Sequence, residues 1–187
     1  MRNIKSYLIT DPNYFSDNKE IFKEKLIAVL KNHKIDFACF RDKSSKNIEE
    51  LAKIFLQICK EFKIKNILIN SNISLAIKLG FDGVHLNSQQ FDKIENAKKL
   101  NLKTIISCHN LEELEKAMNK NIDFVTYSPI FDTPNKGQSK GVDKLNEVIE
   151  KFPNLKIFAL GGIIQNEQIK EIEKTKAYGF ASIRYFI

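Results

Sequence analysis

From residue 7 onward, short runs of β-branched and aromatic residues alternate with amphipathic segments, and few folds accept that order. It is the pattern of βα units around a parallel sheet, because parallel strands need a crossover connection and a helix supplies it. The runs predict strands at YLIT (7–10), FACF (37–40), NILI (66–69), GVHL (83–86), KTIIS (103–107), FVTYS (124–128), KIFAL (156–160) and YGFASI (178–183). The segments between them predict helices over 20–32, 48–62, 73–79, 91–100, 111–119, 145–152 and 166–174. On the first of these, Ile21, Phe22, Leu26, Val29 and Leu30 share one face. Eight strands and seven helices predict an α/β fold, a single (β/α)8 TIM barrel over residues 1–187 that lacks a complete eighth helix. That helix would cover the seam between strand eight and strand one. Its loss predicts exposed apolar surface there, and a homodimer contact across it.

Composition narrows the function classes. A net charge of +7 invites nucleic acid as a partner, since clustered Lys and Arg neutralise backbone phosphates. The lysines are instead spread along the predicted helices, as in KEIFKEKLIAVLKNHK, with no basic stripe interleaved with aromatics. They read as solvated helix faces, and no nucleic-acid partner is expected. Cys39, Cys59 and Cys108 form no CxxC pair, which suits a reducing cytoplasm. No run approaches the ~20 apolar residues of a membrane span, and the amino end, MRNIKSYLITDPNY, has no sustained apolar stretch like that of a signal peptide. A cytoplasmic protein without a membrane partner is the expectation.

Barrel enzymes carry their reactive groups just after the strands. Here those positions hold Arg41, Asp42 and Lys43, then Asn70, then Cys108 and His109, then a loop with Thr133, Asn135, Lys136 and Gly141, and then Gly161-Gly162. Arg41 and Lys43 alternate along an extended segment, so both face one side and suit a diphosphate or carboxylate; a surface salt bridge with Asp42 is the alternative. Gly161 and Gly162, with Ser182, Ile183 and Arg184 after strand eight, fall where barrels bind phosphate on backbone N–H groups, although a glycine pair also serves a plain turn. His109 reads either as an acid/base group or as a loop or helix-cap residue. His85, within strand four, reads as a buried structural histidine, and His33 as solvent-facing. Cys108 and His109 face opposite ways, which argues against a Cys-His nucleophile pair.

In order along the chain stand YLITD (7–11), FRDK (40–43), ILIN (67–70), DGVHL (82–86), DFVTYSPIFDTPNK (123–136), KGV (140–142) and ALGGI (159–163). This set resembles the thiamine phosphate synthase and TenI superfamily over nearly the whole chain. The synthases join a hydroxymethylpyrimidine diphosphate to a thiazole phosphate with Mg2+ held by aspartates. The resemblance places those aspartates at Ser71 and Gln90, so both carboxylates are replaced here. Cys39, Asn135 and Asn87-Ser88 also depart from the synthase pattern. The TenI-type branch, a thiazole tautomerase, resembles this chain at SCHNLEELEKA (107–117), where its catalytic histidine matches His109. Proton transfer between carbons near neutral pH suits an imidazole, whose ordinary pKa is about 6.5.

The leading expectation is therefore a metal-free, cofactor-free thiazole tautomerase with His109 as acid/base. Arg41, Lys43, Asn70, Thr133 and Lys136 would hold the substrate, and Gly161, Gly162, Ile183 and Arg184 its phosphate. The alternatives are a thiamine phosphate synthase with atypical metal ligands, needing Mg2+ and a pyrimidine diphosphate, and a non-catalytic regulatory protein that binds a thiazole or thiamine phosphate.

Overall fold

A computed structural model describes residues 4–122 and 124–187. Asp123, the first residue of the DFVTYSPIFDTPNK motif, lies outside the described residues. Eight parallel strands close into a barrel in sequence order: β1 (Lys5–Ile9), β2 (Phe37–Phe40), β3 (Ile67–Asn70), β4 (Gly83–Leu86), β5 (Lys103–Cys108), β6 (Phe124–Tyr127), β7 (Lys156–Leu160) and β8 (Gly179–Ser182). Closure comes from β1 pairing with β8, Leu8 opposite Ser182. Around the barrel run α1 (Pro12–Phe15), α2 (Lys19–Asn32), α3 (Ile48–Glu61), α4 (Ile73–Leu79), α5 (Ile94–Lys99), α6 (Leu111–Asn119), α7 (Gly141–Lys151) and α8 (Asn166–Glu173). The short α1 was not anticipated; Asp11 caps it by accepting from the Asn13 N–H, and Pro12 presets its first turn. The segment 91–100 splits into a 3-10 turn, Phe91–Lys93, and α5. Helix α7 begins at Gly141, four residues before the expected start, and Val142 in its first turn packs against the core.

Strand alternation divides the apolar residues into two cores. Tyr7, Ile9, Phe37, Cys39, Leu68, Ile105, Phe124, Phe158 and Ala181 fill the barrel, while Leu8, Phe40, Ile69, Val84, Ile106 and Val125 face the helices. At the amino end of the strands the rings of Phe37, Phe124, Phe158 and Tyr178 meet edge to face, and Lys156 stands 4.9 Å over Phe124. That end is plugged. The open mouth of the barrel is therefore at the carboxyl end.

After β8 the described chain makes a 3-10 turn, Arg184–Phe186, and no further α-helix. The apolar surface expected at the seam is largely covered, however. Phe186 is buried and stacks on Phe180 at 5.8 Å, with Tyr185 edge-on to both. His33, expected to face solvent, packs against Phe186 and Tyr185 at 5.4 and 5.8 Å. Ile21, expected on the buried face of α2, is exposed because the helix settles on Phe22, Leu26, Val29 and Leu30. None of the described helices is long and apolar enough to cross a membrane.

Candidate functional site

The inward alternation of β1 and β2 continues past their ends and brings Asp11 and Arg41 to the open mouth. Ile9 lies opposite Cys39, so two residues on, Asp11 meets Arg41, and the two form an ion pair. Thr10 clamps the Arg41 backbone: its hydroxyl accepts from the Arg41 N–H at 2.8 Å and donates to the Arg41 carbonyl at 3.1 Å. The salt bridge with Asp42 is not formed. Asp42 instead accepts from the Ser44 and Ser45 N–H groups and the Ser45 hydroxyl, which folds the loop after β2 into a side-chain-closed turn. Lys43 is exposed and makes no ion pair among the described residues.

Beyond β3 and β4 lies a cluster of neutral amides and one hydroxyl. Asn70 and Asn87 donate through their side-chain amides to the Ser71 hydroxyl at 3.1 and 3.3 Å. The Gln90 side chain donates to the Ser71 carbonyl at 3.2 Å and accepts from the Asn87 N–H at 3.1 Å. These are the positions at which the family resemblance puts metal-binding aspartates. Mg2+ is held by carboxylate charge in near-octahedral oxygen geometry. Here the donors are neutral and bonded to one another, so the residues present do not fit the ion. Among the described residues no group of three or more His, Cys, Asp and Glu could hold a metal.

Inside the barrel a polar chain rises toward the mouth. His85 is buried, with Nδ1 2.8 Å from the Tyr7 hydroxyl and Nε2 3.1 Å from the Ser107 hydroxyl and 3.4 Å from that of Thr126. Burial, helped by the nearby Arg41 charge, pushes the His85 pKa down to about 4, so the ring is neutral near pH 7. This agrees with the structural reading of His85. Sequence reasoning gave no role to Tyr7, Ser107 or Asp11. Alternation along β1 puts Tyr7 and Asp11 on the face of Ile9, and alternation along β5 puts Ser107 on the face of Ile105, a signal the sequence carries.

His109 stands at the rim after β5, half exposed. Its N–H donates to the Glu113 carboxylate at 2.5 Å and its Nδ1 lies 3.2 Å from the same oxygen. Glu113 is itself fixed in the first turn of α6 by the Asn110 cap, at 2.8 Å. Nε2 of His109 is left without a partner among the described residues. Cys108 points into the outer core, where burial pushes its thiol pKa far up, so the adjacent pair is not a nucleophile couple.

The remaining expected residues gather at the ends of β6, β7 and β8. An open concavity of about 520 Å³ is lined by Asp132, Thr133, Pro134, Gly137, Ile164 and Arg184. Gly161 and Gly162 are strapped to the loop after β6: the Ile130 and Phe131 N–H groups donate to the Leu160 and Gly161 carbonyls at 2.9 and 3.0 Å. The N–H groups of Gly162, Ile163 and Ile183 donate to no acceptor among the described residues. Free N–H groups beside the Arg184 guanidinium are what an anion needs. Lys136 is exposed on the same loop. Of the expected site residues only Thr133 and Arg184 line this concavity; Arg41, Lys43, Asn70 and His109 lie elsewhere at the mouth.

The chain matches the family described as "Thiamine monophosphate synthase" over residues 6–186. It belongs to that family. It is 37% identical over 187 residues to a putative thiamine-phosphate synthase 2 of Aquifex aeolicus, covering 97% of this chain and 96% of that one. It is 31% identical to thiamine-phosphate synthase 1 of Streptococcus pneumoniae, over 77% of this chain and 72% of that one. Among solved structures, a thiamine phosphate pyrophosphorylase from Pyrococcus furiosus superposes with a TM-score of 0.81 at 25% identity, covering 96% and 85% of the two chains. A likeness to GGGPS from Thermoplasma volcanium, TM-score 0.68 at 14% identity, reflects the barrel alone. The Aquifex, Streptococcus and Pyrococcus relatives are named for the synthase or pyrophosphorylase activity, not for a tautomerase.

Proposed function

We propose that this chain is an enzyme of thiamine biosynthesis that binds a phosphorylated thiazole, with the phosphate at the corner formed by β6, β7 and β8. The observation that carries this reading is the set of free N–H groups of Gly162, Ile163 and Ile183 beside Arg184. Such groups cost little to desolvate when an anion takes them up, and the concavity is wide enough for a ring attached to that anion.

Two reactions on this ligand follow from different observations. The names of the relatives favour the joining reaction, in which the thiazole phosphate and a pyrimidine diphosphate give thiamine phosphate and pyrophosphate. In this chain the charge of the departing diphosphate would be met by Arg41, Lys43 and Lys136 rather than by carboxylate-held Mg2+. The neutral cluster around Ser71 favours the other reaction, tautomerisation, which needs no diphosphate site. There His109 would take a proton from one ring carbon through Nε2 and return it to another, with Glu113 holding Nδ1 and steadying the transient imidazolium.

One experiment separates them. Purified chain is given each substrate set, with Mg2+ or with chelator, while pyrophosphate release and thiazole aromatisation are followed. Pyrophosphate release supports the joining reaction. Aromatisation that survives chelation and falls at least about 100-fold in His109→Ala supports the tautomerase. Saturable binding of the thiazole phosphate without either product overturns the enzyme reading in favour of a ligand-binding regulator.

A further inference from the structure

Arginine is scarce in this chain: of its 30 Lys and Arg residues only Arg2, Arg41 and Arg184 are arginine. The two among the described residues both stand at the carboxyl end of the barrel, after β2 and after β8. Lysine is a solvated point charge, whereas a guanidinium offers five N–H donors in a planar fork that matches the oxygens of an oxyanion. A fork has to be aimed, and the stem that carries it is long and flexible.

Two consecutive residues at the end of β1 hold Arg41 at both ends. Thr10 is buried, and its hydroxyl closes on the Arg41 backbone, accepting from the N–H at 2.8 Å and donating to the carbonyl at 3.1 Å. Asp11 takes the head, pairing one carboxylate oxygen with an Arg41 Nη. Its other oxygen accepts from the backbone and side-chain N–H groups of Asn13 at 3.1 and 2.9 Å, so the carboxylate is itself fixed by the first turn of α1. The Arg41 and Asp11 side chains are 26% and 14% exposed, so the pair is largely out of water, unlike the exposed pairs that contribute little. The remaining N–H groups of the guanidinium have no acceptor among the described residues. Its charge is felt at His85 inside the barrel, which sets the head over the open mouth.

Charge alone gives the opposite expectation for Asp11. A carboxylate beside the cation weakens its pull on any anion, so a site that needed only positive potential would do better without it. We propose that Asp11 is a positioning residue that aims the Arg41 guanidinium as a preorganised fork for an oxyanion at the mouth, and gives up net charge to do so. A head that is already held spares the cost of ordering it when the anion binds. The identity of the anion rests on the reading in which Arg41 meets a diphosphate; the aiming by Asp11 does not.

With only three arginines, the guanidinium nitrogens can be read one by one. In 15N-labelled protein the Arg41 Nη groups should rotate slowly and give resolved signals, whereas Arg184, whose head has no partner among the described residues, should give averaged ones. Asp11→Ser keeps a capping oxygen for α1 but is too short to reach the guanidinium, so it should average the Arg41 signals and leave those of Arg184 unchanged. Asp11→Asn, which keeps the cap and the reach but not the charge, should fall between, and carries the same sign if the serine variant does not fold. Inorganic pyrophosphate, added with chelator, should shift the Arg41 Nε–H. The affinity read at that signal should fall about tenfold in Asp11→Ser, although the variant has gained a unit of positive charge. Added to Arg41→Gln, Asp11→Ser should change the calorimetric affinity for pyrophosphate by less than about twofold, because it acts through Arg41. Affinity that is unchanged or tighter in Asp11→Ser overturns the proposal, as does fast Nη rotation at Arg41 in the wild type. If saturating pyrophosphate leaves the Arg41 signals unmoved, the anion role of Arg41 and this proposal fall together, whereas the phosphate corner at β6, β7 and β8 is decided separately by titration with thiazole phosphate.

Discussion

At Gly162 the backbone lies at φ +69°, and a methyl group added there would stand 2.5 Å from the Asp132 carbonyl oxygen and 2.6 Å from Phe131. Gly161, at φ +100°, is pressed in the same way against Pro129 and Thr133. The turn reading of the glycine pair therefore holds: a positive φ and close backbone approach leave no room for a side chain at either position. Gly162→Ala combines left-handed strain with a steric clash, each of order 1–3 kcal/mol, so a loss of about 2–6 kcal/mol is expected. Denaturant midpoints will measure it. Because relief requires the loop at 131–133 to move away, phosphate affinity should fall with stability, whereas Thr133→Ser should leave the midpoint nearly unchanged.

Among the elements, the turn Arg184–Phe186 packs its rings on Phe180 of β8. Its contribution comes from one ring: Phe186 is 3% exposed and lies between Phe180 and His33. Truncating a buried phenylalanine costs about 3–5 kcal/mol, the lower figure applying where the neighbours can collapse. Phe186→Ala should thus lower stability by about 3 kcal/mol and the melting temperature by roughly 5 °C or more, followed by circular dichroism. Tyr185→Ala, which removes a half-exposed ring, should cost less. Sequence reasoning missed the packed turn, because Tyr185 and Phe186 follow β8 with no periodicity to announce it. It also missed α1, which rests on a cap and a proline rather than on an apolar stripe. Strands β2, β4 and β7 were legible to the residue, since each is a β-branched or aromatic run ended sharply by polar or turn residues.

On the scale of the whole molecule, the eightfold order was legible because it is a sum of local signals, whereas the pairing of Asp11 with Arg41 and of Tyr7 with His85 was not. Those contacts depend on barrel stagger, which brings residues 30 and 78 positions apart together and leaves no trace in local composition. The same buried histidine ties global stability to pH. In the unfolded chain His85 has the ordinary pKa of about 6.5, and in the barrel burial lowers it to about 4. Above pH ~6.5 both states are neutral at this site, and its contribution is fully present. As pH falls from there toward 4, the unfolded chain binds a proton that the folded barrel refuses, so stability is lost through that window and the loss levels off below the folded pKa. A depression of this size corresponds to about 3 kcal/mol. Carboxylates such as Asp36, whose pKa is lowered by its Lys5 partner against the cost of burial, add to acid sensitivity at the lower end of the range. The His85 share is isolated by comparison with His85→Gln, which carries no titrating group. The stability difference between wild type and variant, from urea unfolding at a series of pH values, should narrow in the variant's favour by about 3 kcal/mol between pH 7 and 4 and stay level from pH 7 to 8. A constant difference across that whole range would mean that His85 takes up its proton inside the barrel as readily as in the unfolded chain.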